Sequence, residues 1–400
     1  MRIYDETFTK SKKLEGWIYS MALSPDKKIL AVGTRTDIVL LDYVTLELIY
    51  EFKDAHFDQI NSLSFNYTGN IIASGSKDKF IRLWDIIEKK EIKYFVIDNC
   101  IESIAFNSNN NLLASCSNGI YYKLADVWDV NNKKHFKKYN TDADNMYFIC
   151  FSPNGNYLAV AASFYLKIFN VDTGELIHSL RPRGDDSGEI KSISFSPDGN
   201  RVAIGVYRPA FSQYDTKGER IIIWDVNKGE QLLTIYPNTF FGSIKIAFNQ
   251  NGNIIIGGSI DINIFDSFTG RLIGSIEQKK VLNDYSGITS LLLNNDEIIF
   301  SYNDGRIKFG DIKSIINEYE AYLDNLLKNK EKNKINDLIL EKKSKKINLI
   351  IKICKIIIVV ISIILSIFLF NENSLGLGII VLIISMIIIS NIDRFFKIKK

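Results

Sequence analysis

Short runs of alternating apolar and small polar residues, each followed by a turn sequence, recur along residues 1–313. The segment NSLSFNYTGNIIASGSKDKFIRLWD at residues 61–85 shows the unit, which is three such runs separated by two turns. Alternation with a period of two predicts β-strands, and none of these runs fits a helical period. Seven copies of the unit end in an acidic or amide residue: Asp42, Asp85, Asp129, Asn170, Asp225, Asp266 and Asp311.

The spacing of these end residues predicts the architecture. Neighbouring ends lie 41 to 45 residues apart, except for a step of 55 residues between Asn170 and Asp225. A period of about 40 to 45 residues with four short strands per unit is typical of β-propeller blades. We therefore predict an all-β fold, a seven-bladed β-propeller closed by the N-terminal strand, followed by an α-helical linker and a two-helix membrane hairpin.

The two ends of the repeat region predict how the ring closes. After Asp311 the seventh copy lacks a fourth strand, because SIINEYEAYLDNLL (residues 314–327) has the apolar spacing of a helix. Residues 2–9, RIYDETFT, form a strand-like stretch ahead of the first copy. We expect this stretch to complete the last blade, which would leave no unpaired edge at the junction.

The second copy carries four residues that together point to a known family. They are His56 in the loop entering the unit, Ser74 on its second strand, Asp78 in the next turn and Trp84 before Asp85. On these residues, roughly residues 1–313 resemble the WD-repeat family. The resemblance implies that His56, Ser74, Asp78 and Trp84 form a buried structural relay of hydrogen bonds within the blade. The other copies depart from this pattern and keep the tryptophan only at Trp128 and Trp224.

Two apolar stretches near the C-terminus predict a membrane hairpin. Residues 347–370 are predicted to form a first helix and residues 375–392 a second, and residues 356–370 carry no charge. At 1.5 Å per residue these helices are about 36 Å and about 27 Å long. A hairpin that enters one leaflet without crossing it, and a buried helical pair of a soluble domain, are the alternatives.

Charge is distributed unevenly between the repeat region and the tail. The chain has 49 Lys and Arg against 46 Asp and Glu; residues 316–400 hold 14 and 8 of these, which leaves 35 against 38 for the rest. A mildly acidic propeller argues against a nucleic-acid partner, since phosphate binding requires a basic surface. By the positive-inside rule, the lysines on both sides of the hairpin predict that the propeller and the C-terminus face the cytoplasm. The N-terminal residues do not resemble a signal segment, which leads to the same expectation.

The segments that flank the hairpin are basic. Residues 314–346 are predicted to form a helical, Lys-rich juxtamembrane linker, and residues 393–400 a basic cytoplasmic tail. Lysines near an anionic lipid surface attract it, so we expect the linker and the hairpin to contact membrane lipid. A solvated connector that touches no lipid is the alternative for the linker.

The residues indicate no catalytic site, no cofactor and no metal site. His56 has the relay role, and His135 and His178 have no Cys or His at metal-ligand spacing. No glycine loop for phosphate and no G-x-S-x-G elbow is present in the sequence. The four cysteines, Cys100, Cys116, Cys150 and Cys354, have no C-x-x-C spacing and are expected to be free thiols.

The long step before Asp225 predicts a candidate partner-binding site. The fifth copy contains an extra stretch, residues 207–218, between its second and third strands, and residues 181–189 form a long loop that enters the same blade. Both loops should open on one rim, where aromatic and arginine side chains of the kind that anchor protein interfaces would gather. The candidate residues are Arg181, Arg183, Tyr207, Arg208, Phe211 and Tyr214. A tolerated surface insertion without a partner is the alternative.

These observations predict a membrane-tethered scaffold that presents a cytoplasmic propeller to a protein partner, and not an enzyme. One alternative rests on a resemblance to membrane-anchored propeller exchange factors of the secretory pathway and predicts a regulator of a small GTPase. A propeller enzyme, such as a lactonase or a quinone-dependent dehydrogenase, is a third possibility and would need carboxylates converging on the central channel.

Overall fold

The computed structural model describes residues 2–4, 8–108, 112–119, 124–132, 134–142, 146–182, 188–207, 219–237, 244–258, 261–277 and 287–328. Met1–Tyr319 forms one compact unit, and of the second unit, Glu320–Lys400, the end of one helix is described. The strands form seven sheets, and each sheet is one blade. The predicted seven-bladed β-propeller is therefore confirmed.

In each blade the strands lie side by side in chain order. β1 (Arg2–Tyr4) and β2 (Phe8–Lys13) precede the first blade, which contains β3 (Ser20–Leu23), β4 (Ile29–Gly33), β5 (Ile38–Asp42) and β6 (Leu48–Phe52). Blade two contains β7 (Ile60–Phe65), β8 (Ile71–Ser76), β9 (Phe80–Asp85) and β10 (Lys90–Val96). Blade three contains β11 (Cys100–Phe106), β12 (Leu112–Asn118), β13 (Leu124–Asp129) and β14 (Lys134–Asn140).

The remaining blades repeat this order. Blade four contains β15 (Met146–Phe151), β16 (Tyr157–Ala162), β17 (Tyr165–Asn170) and β18 (Leu176–Leu180). Blade five contains β19 (Glu189–Phe195), β20 (Arg201–Tyr207), β21 (Glu219–Asp225) and β22 (Glu230–Ile235). Blade six contains β23 (Lys245–Phe248), β24 (Ile254–Gly258), β25 (Ile262–Asp266) and β26 (Leu272–Glu277), and blade seven contains β27 (Ile288–Asn294), β28 (Glu297–Tyr302) and β29 (Arg306–Asp311).

The ring is closed by an N-terminal strand, but the predicted bounds of that strand are wrong. β2 pairs antiparallel with β29 and supplies the fourth strand of blade seven. Residues 2–4 instead form β1, which runs parallel to β26 as a fifth strand on blade six. The physical reason is the edge of β29: a helix follows that strand, so its open ladder needs a partner from elsewhere in the chain.

The core lies between the blades. Among the described residues, seven clusters of buried apolar side chains each join two neighbouring blades. One of them joins Leu30 and Leu41 of blade one to Ile299 and Phe309 of blade seven, so the first and last blades pack like any other pair. The first strands of neighbouring blades also lie beside one another, and β27 meets β3, so these strands surround a central channel.

The turns between the first and second strands of blades four and five each contain a glycine in a left-handed conformation. Gly155 and Gly199, at the ends of the Pro-x-Gly turns, have φ angles of 76° and 70°, a left-handed conformation that glycine adopts without a steric penalty.

We call the upper rim the edge at which the first strand of each blade begins; the second strand ends there, as shown by the pairing of Ser20 with Gly33. The lower rim is the opposite edge.

The predicted helix after the last blade is confirmed as α1 (Lys313–Lys328). The side chain of Asp311 accepts the backbone N–H of Lys313 at 2.7 Å, and Ile315 is buried in the cluster between blades six and seven. In the part of the chain that the structure describes, no helix has both the length and the apolar composition required to cross a membrane. The predicted hairpin at residues 347–370 and 375–392 lies outside the described residues.

Candidate functional site

The four relay residues of blade two are brought together beneath the upper rim. His56 places Nδ1 at 2.8 Å from Oδ2 of Asp78 and Nε2 at 2.6 Å from Oγ of Ser74. The indole N–H of Trp84 donates to the same Ser74 Oγ at 2.9 Å. An Nδ1–H tautomer of His56 fits both contacts, because the carboxylate can only accept and the serine hydroxyl can then donate to Nε2. Every polar group of the relay thus has a partner in the buried interior of the blade.

The relay also holds the loop that enters blade two. Asp78 accepts the backbone N–H of Phe57 at 2.9 Å and that of Phe80 at 3.0 Å. Burial alone would raise the pKa of Asp78, but the hydrogen bonds from His56 and from the N–H of Phe57 outweigh it and lower the pKa below its usual 3.8. The carboxylate therefore stays ionised and fixes the backbone of Phe57, the residue that follows His56.

Above the relay lies a group of side chains that we call the blade-two cluster: Phe57, Phe80, Arg82 and Tyr94. The Arg82 guanidinium carbon lies 5.6 Å from the ring centre of Phe57, 5.0 Å from that of Phe80 and 5.9 Å from that of Tyr94. Phe57 is 78% exposed and Tyr94 is 53% exposed. These distances are within the range of cation–π attraction, so the rings and the guanidinium stabilise one another at the surface.

Arg82 is paired with one acidic residue and is partly exposed to solvent. Its Nη1 donates to Glu91 at 2.6 Å, and its side chain is 16% exposed. Its Nε atom is buried and has no hydrogen-bond partner among the described residues. Tyr, Trp and Arg dominate the side chains that anchor protein interfaces, and a large exposed aromatic beside a partly buried arginine is a surface of this kind.

The blade-two cluster is not among the sites predicted from the sequence. A signal was present, since Phe80 and Arg82 alternate on one face of β9, and Tyr94 and Val96 of β10 could pair opposite them. The observed register does pair Tyr94 with Arg82 and Val96 with Phe80. The contribution of Phe57 could not be found in this way, because its position depends on the hydrogen bond to Asp78.

The predicted blade-five site is only partly described. Arg181 is exposed, donates from Nη1 to the hydroxyl of Tyr165 at 3.2 Å, and lies over the ring of that tyrosine. Tyr207 is the half-buried last residue of β20. The other candidates lie outside the described residues: Arg183, Arg208, Phe211 and Tyr214.

The positions of the two blade-five loops follow from the strand pairing. Tyr207 pairs with Glu189 at the start of β19 and with Glu219 at the start of β21. Residues 183–187 and 208–218 therefore join strands whose ends lie together at the upper rim. The ends of both loops thus lie at the rim that carries Phe57, and residues 183–187 and 208–218 themselves lie outside the described residues.

The relay is incomplete in the other tryptophan-containing blades. In blade three the indole N–H of Trp128 donates to Ser115 at 3.1 Å, as Trp84 does to Ser74. In blade five, Ile204 occupies the strand position of that serine, and the indole nitrogen of Trp224 is buried without a partner among the described residues. Blade five therefore has a weaker internal polar network than blade two.

A cavity of about 320 Å³ lies on blade three beside blade two. Its lining includes Asp126, Trp128, His135 and Lys138. His135 Nε2 is 2.8 Å from Oδ1 of Asp126, and the Lys138 ammonium is 4.0 Å from the same oxygen. The buried carboxylate of Asp126 therefore has two cationic or hydrogen-bonding neighbours, which makes this group a satisfied polar contact between strands.

The described residues contain no group of three or more His, Cys, Asp or Glu side chains arranged to hold a metal ion. Cys100, Cys116 and Cys150 are free thiols, and Cys354 lies outside the described residues. Burial raises the pKa of Cys116 well above its usual value and that of Cys150 to about 12. Both of these thiols are therefore protonated at neutral pH and poor nucleophiles.

Comparison with known proteins identifies the repeat. Residues 46–85, which contain the whole relay, match the family described as WD domain, G-beta repeat. The chain is 25% identical over 307 residues to the intraflagellar transport protein 122 homolog of Mus musculus, a match that covers 74% of this chain and 24% of that protein. It is 27% identical over 191 residues to pre-mRNA-processing factor 19 of Dictyostelium discoideum, covering 44% of this chain and 36% of that protein.

A further relative is the U3 small nucleolar RNA-associated protein 15 homolog of Xenopus tropicalis, which is 22% identical over 219 residues. That match covers 54% of this chain and 39% of the relative. The chain thus spans less than half the length of each of these three relatives, and the similarity concerns one region of each.

Proposed function

Since the chain is a WD-repeat β-propeller, we propose that it is an interaction scaffold, tethered to a membrane by residues 347–392, whose upper rim binds a protein partner. The observation that carries this proposal is the blade-two cluster, where Phe57 is 78% exposed on a loop fixed by the buried relay. Holding an apolar side chain in water is unfavourable, and fixing it in advance lowers the entropy cost of binding. A partner that covers Phe57 and meets Arg82 would gain from both.

The two blade-five loops extend this surface on the same rim. The exposed Arg181 and the half-buried Tyr165 form a cation–π pair beside the start of one loop, with 5.1 Å from the guanidinium carbon to the ring centre. Tyr207 stands at the base of the other loop. We propose that Arg181, Arg183, Tyr207, Arg208, Phe211 and Tyr214 form a second contact region for the same partner.

A test of the rim uses one variant on each face of the propeller. Phe57→Ala removes the exposed ring at the upper rim, and Ile87→Ala removes a 75% exposed side chain at the lower rim. Partners of the full chain are first identified by cross-linking and mass spectrometry. Phe57→Ala should then weaken binding of the main partner about 30-fold, which corresponds to the loss of an anchor worth about 2 kcal/mol. Ile87→Ala should leave that partner bound, and equal loss in both variants would refute the proposal.

A nucleic-acid partner is a separate possibility, because two relatives are named for pre-mRNA and for U3 small nucleolar RNA. The charge of residues 1–315, with 35 basic against 38 acidic residues, disfavours it. Binding of single-stranded RNA to the full chain in 150 mM salt should be undetectable by fluorescence anisotropy. Binding that weakens steeply with added salt would favour RNA as the partner.

We propose that the tether is a two-span hairpin with the propeller and the C-terminus facing the cytoplasm. The support is the charge-free stretch of residues 356–370, the apolar run of residues 375–392 and the lysines on both sides of them. After alkaline extraction the full chain should remain with the membrane pellet, and a chain ending at residue 346 should be released. Release of the full chain would contradict the proposed membrane tether but would not bear on the proposal that the upper rim binds a partner.

A further inference from the structure

One position on the first strand of each blade is occupied by serine in five of the seven blades. The position lies three residues before the phenylalanine or leucine near the end of that strand, and the residues that occupy it in chain order are Ser20, Ser62, Ser103, Phe148, Ser192, Lys245 and Ser290. The strand register supports the equivalence, because Ser20, Ser62, Ser192 and Lys245 each pair with a glycine of the second strand.

The serine joins one blade to the next. Ser20 Oγ donates to the carbonyl of Ile60 at 3.0 Å, and Ser192 Oγ donates to that of Ile244 at 2.6 Å. Ser62 donates to the carbonyl of Ile104 at 3.3 Å. Ile60 and Ile104 belong to the first strand of the following blade, and Ile244 directly precedes that strand. The serines therefore link neighbouring inner strands around the channel.

Blades four and six break this pattern, and the two exceptional residues meet. The Nζ atom of Lys245 lies 5.1 Å from the ring centre of Phe148. Phe148 is on β15 and Lys245 on β23, and β19 of blade five lies between these strands in the ring. A side chain can reach past an intervening inner strand only on the channel side, so the contact places both residues in the channel.

A second lysine and a second aromatic ring lie beside this pair. Lys191 of β19 places Nζ 5.2 Å from the ring centre of Tyr147 and pairs with Glu189 at 2.6 Å. Burial, together with the charge of Lys191, lowers the pKa of Lys245 to about 8. Lys245 makes no hydrogen bond or ion pair with any residue that the structure describes.

Blade three carries an acidic residue, Glu102, on its first strand. Glu102 of β11 lies near the amide nitrogens of Asn61, at 3.4 Å, and Asn118, at 3.5 Å. Burial raises the pKa of Glu102, and the hydrogen bond from Asn118 and the charge of Lys77 of blade two offset this rise only in part. Glu102 therefore has hydrogen-bond partners on blades two and three, and no ion pair joins it to Lys245 among the described residues.

We propose that Lys245, Lys191, Phe148 and Tyr147 form a binding site for an oxyanion, a carboxylate or a phosphate group, inside the channel near the upper rim. Lys245 is half-buried. An ammonium group that is partly removed from water is costly unless an anion accompanies it, and a second cation nearby increases that cost. An oxyanion between Lys245 and Lys191 would remove both penalties. The proposal is independent of the partner proposed for the upper rim.

The site can be tested with inorganic phosphate and with acetate as separate probes. The amine pKa of Lys245 would be measured in the full chain from the pH dependence of its acylation, read by mass spectrometry. It should be near 8 without anion and should rise with saturating phosphate or acetate, because a bound anion favours the charged ammonium. Affinity should correspondingly fall as the pH rises above 8. An unchanged acylation profile with both probes would overturn the proposal.

A variant test uses the substitution that the other blades suggest. Lys245→Ser installs the residue found at this position in five blades and should fold, and it should weaken the tighter of the two probes at least tenfold in calorimetry. Lys93→Met is the control, since Lys93 lies 5.0 Å from the ring of Phe95 on an outer strand, and it should bind as the unaltered chain does. Equal affinity in Lys245→Ser would also overturn the proposal, and the acylation measurement needs no variant at all.

Discussion

Blade two and blade five share a buried tryptophan at the end of the third strand but treat it differently. Trp84 is 6% exposed and bonded to Ser74, whereas Trp224 is 7% exposed and has Ile204 in place of that serine. In blade two a short turn containing Asp78 links the second and third strands, and in blade five residues 208–218 stand there. A blade can therefore form from apolar packing alone, and the relay has the separate effect of fixing the loop that carries Phe57.

The largest effect is expected for His56→Ala. Removing the imidazole leaves the buried groups of Ser74 and Asp78 without their partner and opens a cavity, so the free energy of unfolding should fall by about 2 to 3 kcal/mol. His135→Ala is the matched control, because Asp126 keeps Lys138 at 4.0 Å and the imidazole is 33% exposed. Chemical denaturation of the three proteins measures the difference. Equal losses would show that the relay has no special stabilising role.

Blade six extends the comparison to the inner strands through Lys245. Its pKa is about 8 when folded and 10.5 when unfolded, so between these values the unfolded chain binds more protons and the stability should rise with pH. Below pH 8 the unfavourable contribution is fully present. In Lys245→Ser this rise between pH 8 and 10.5 should disappear, as thermal unfolding across the range would show. If stability fell by the same amount between pH 8 and 10.5 in the unaltered chain and in Lys245→Ser, the pKa assigned to Lys245 would be contradicted.

Replacing each tryptophan by phenylalanine isolates the hydrogen bond. Trp84→Phe and Trp224→Phe remove similar volumes from similarly buried sites, but only the first breaks a bond to serine. Trp84→Phe should therefore cost about 1 kcal/mol more than Trp224→Phe. Denaturant midpoints of the two variants provide the comparison, and the reverse order would mean that Trp224 has a partner of equal strength.

The smallest effect is expected for Ser62→Ala on the first strand of blade two. The hydroxyl donates to Ile104 at 3.3 Å and accepts the N–H of the same residue at 3.1 Å. Losing this link between blades two and three should cost about 0.5 to 1 kcal/mol. A shift in the thermal midpoint is the readout. No shift at all would indicate that packing alone sets the spacing of the inner strands.

The repeat predicted most of the fold because each blade has the same local pattern. Seven end residues from Asp42 to Asp311 were enough to count the blades and to place the insertion before Asp225. The strand β1 escaped prediction, since three residues in parallel pairing have no periodic signal, and so the closing strand was placed too early, at residues 2–9.

The candidate sites were less predictable than the fold. The relay could be recognised from His56, Ser74, Asp78 and Trp84, because all four follow one repeat pattern. The contact of Lys245 with Phe148 could not be, because it joins blades separated by another blade and depends on the channel geometry. The guanidinium of Arg82 could not be placed against Phe57 from the sequence either, because the position of Phe57 depends on its hydrogen bond to Asp78.

Hydrogen exchange at the backbone N–H of Phe57 tests most directly whether the relay fixes the exposed part of the upper rim. Phe57 lies in a loop with its side chain in water, yet its N–H donates to Asp78 at 2.9 Å. We expect slow exchange of this amide in the full chain and fast exchange in His56→Ala. Exchange in the unaltered chain at the rate of an unstructured peptide would contradict it.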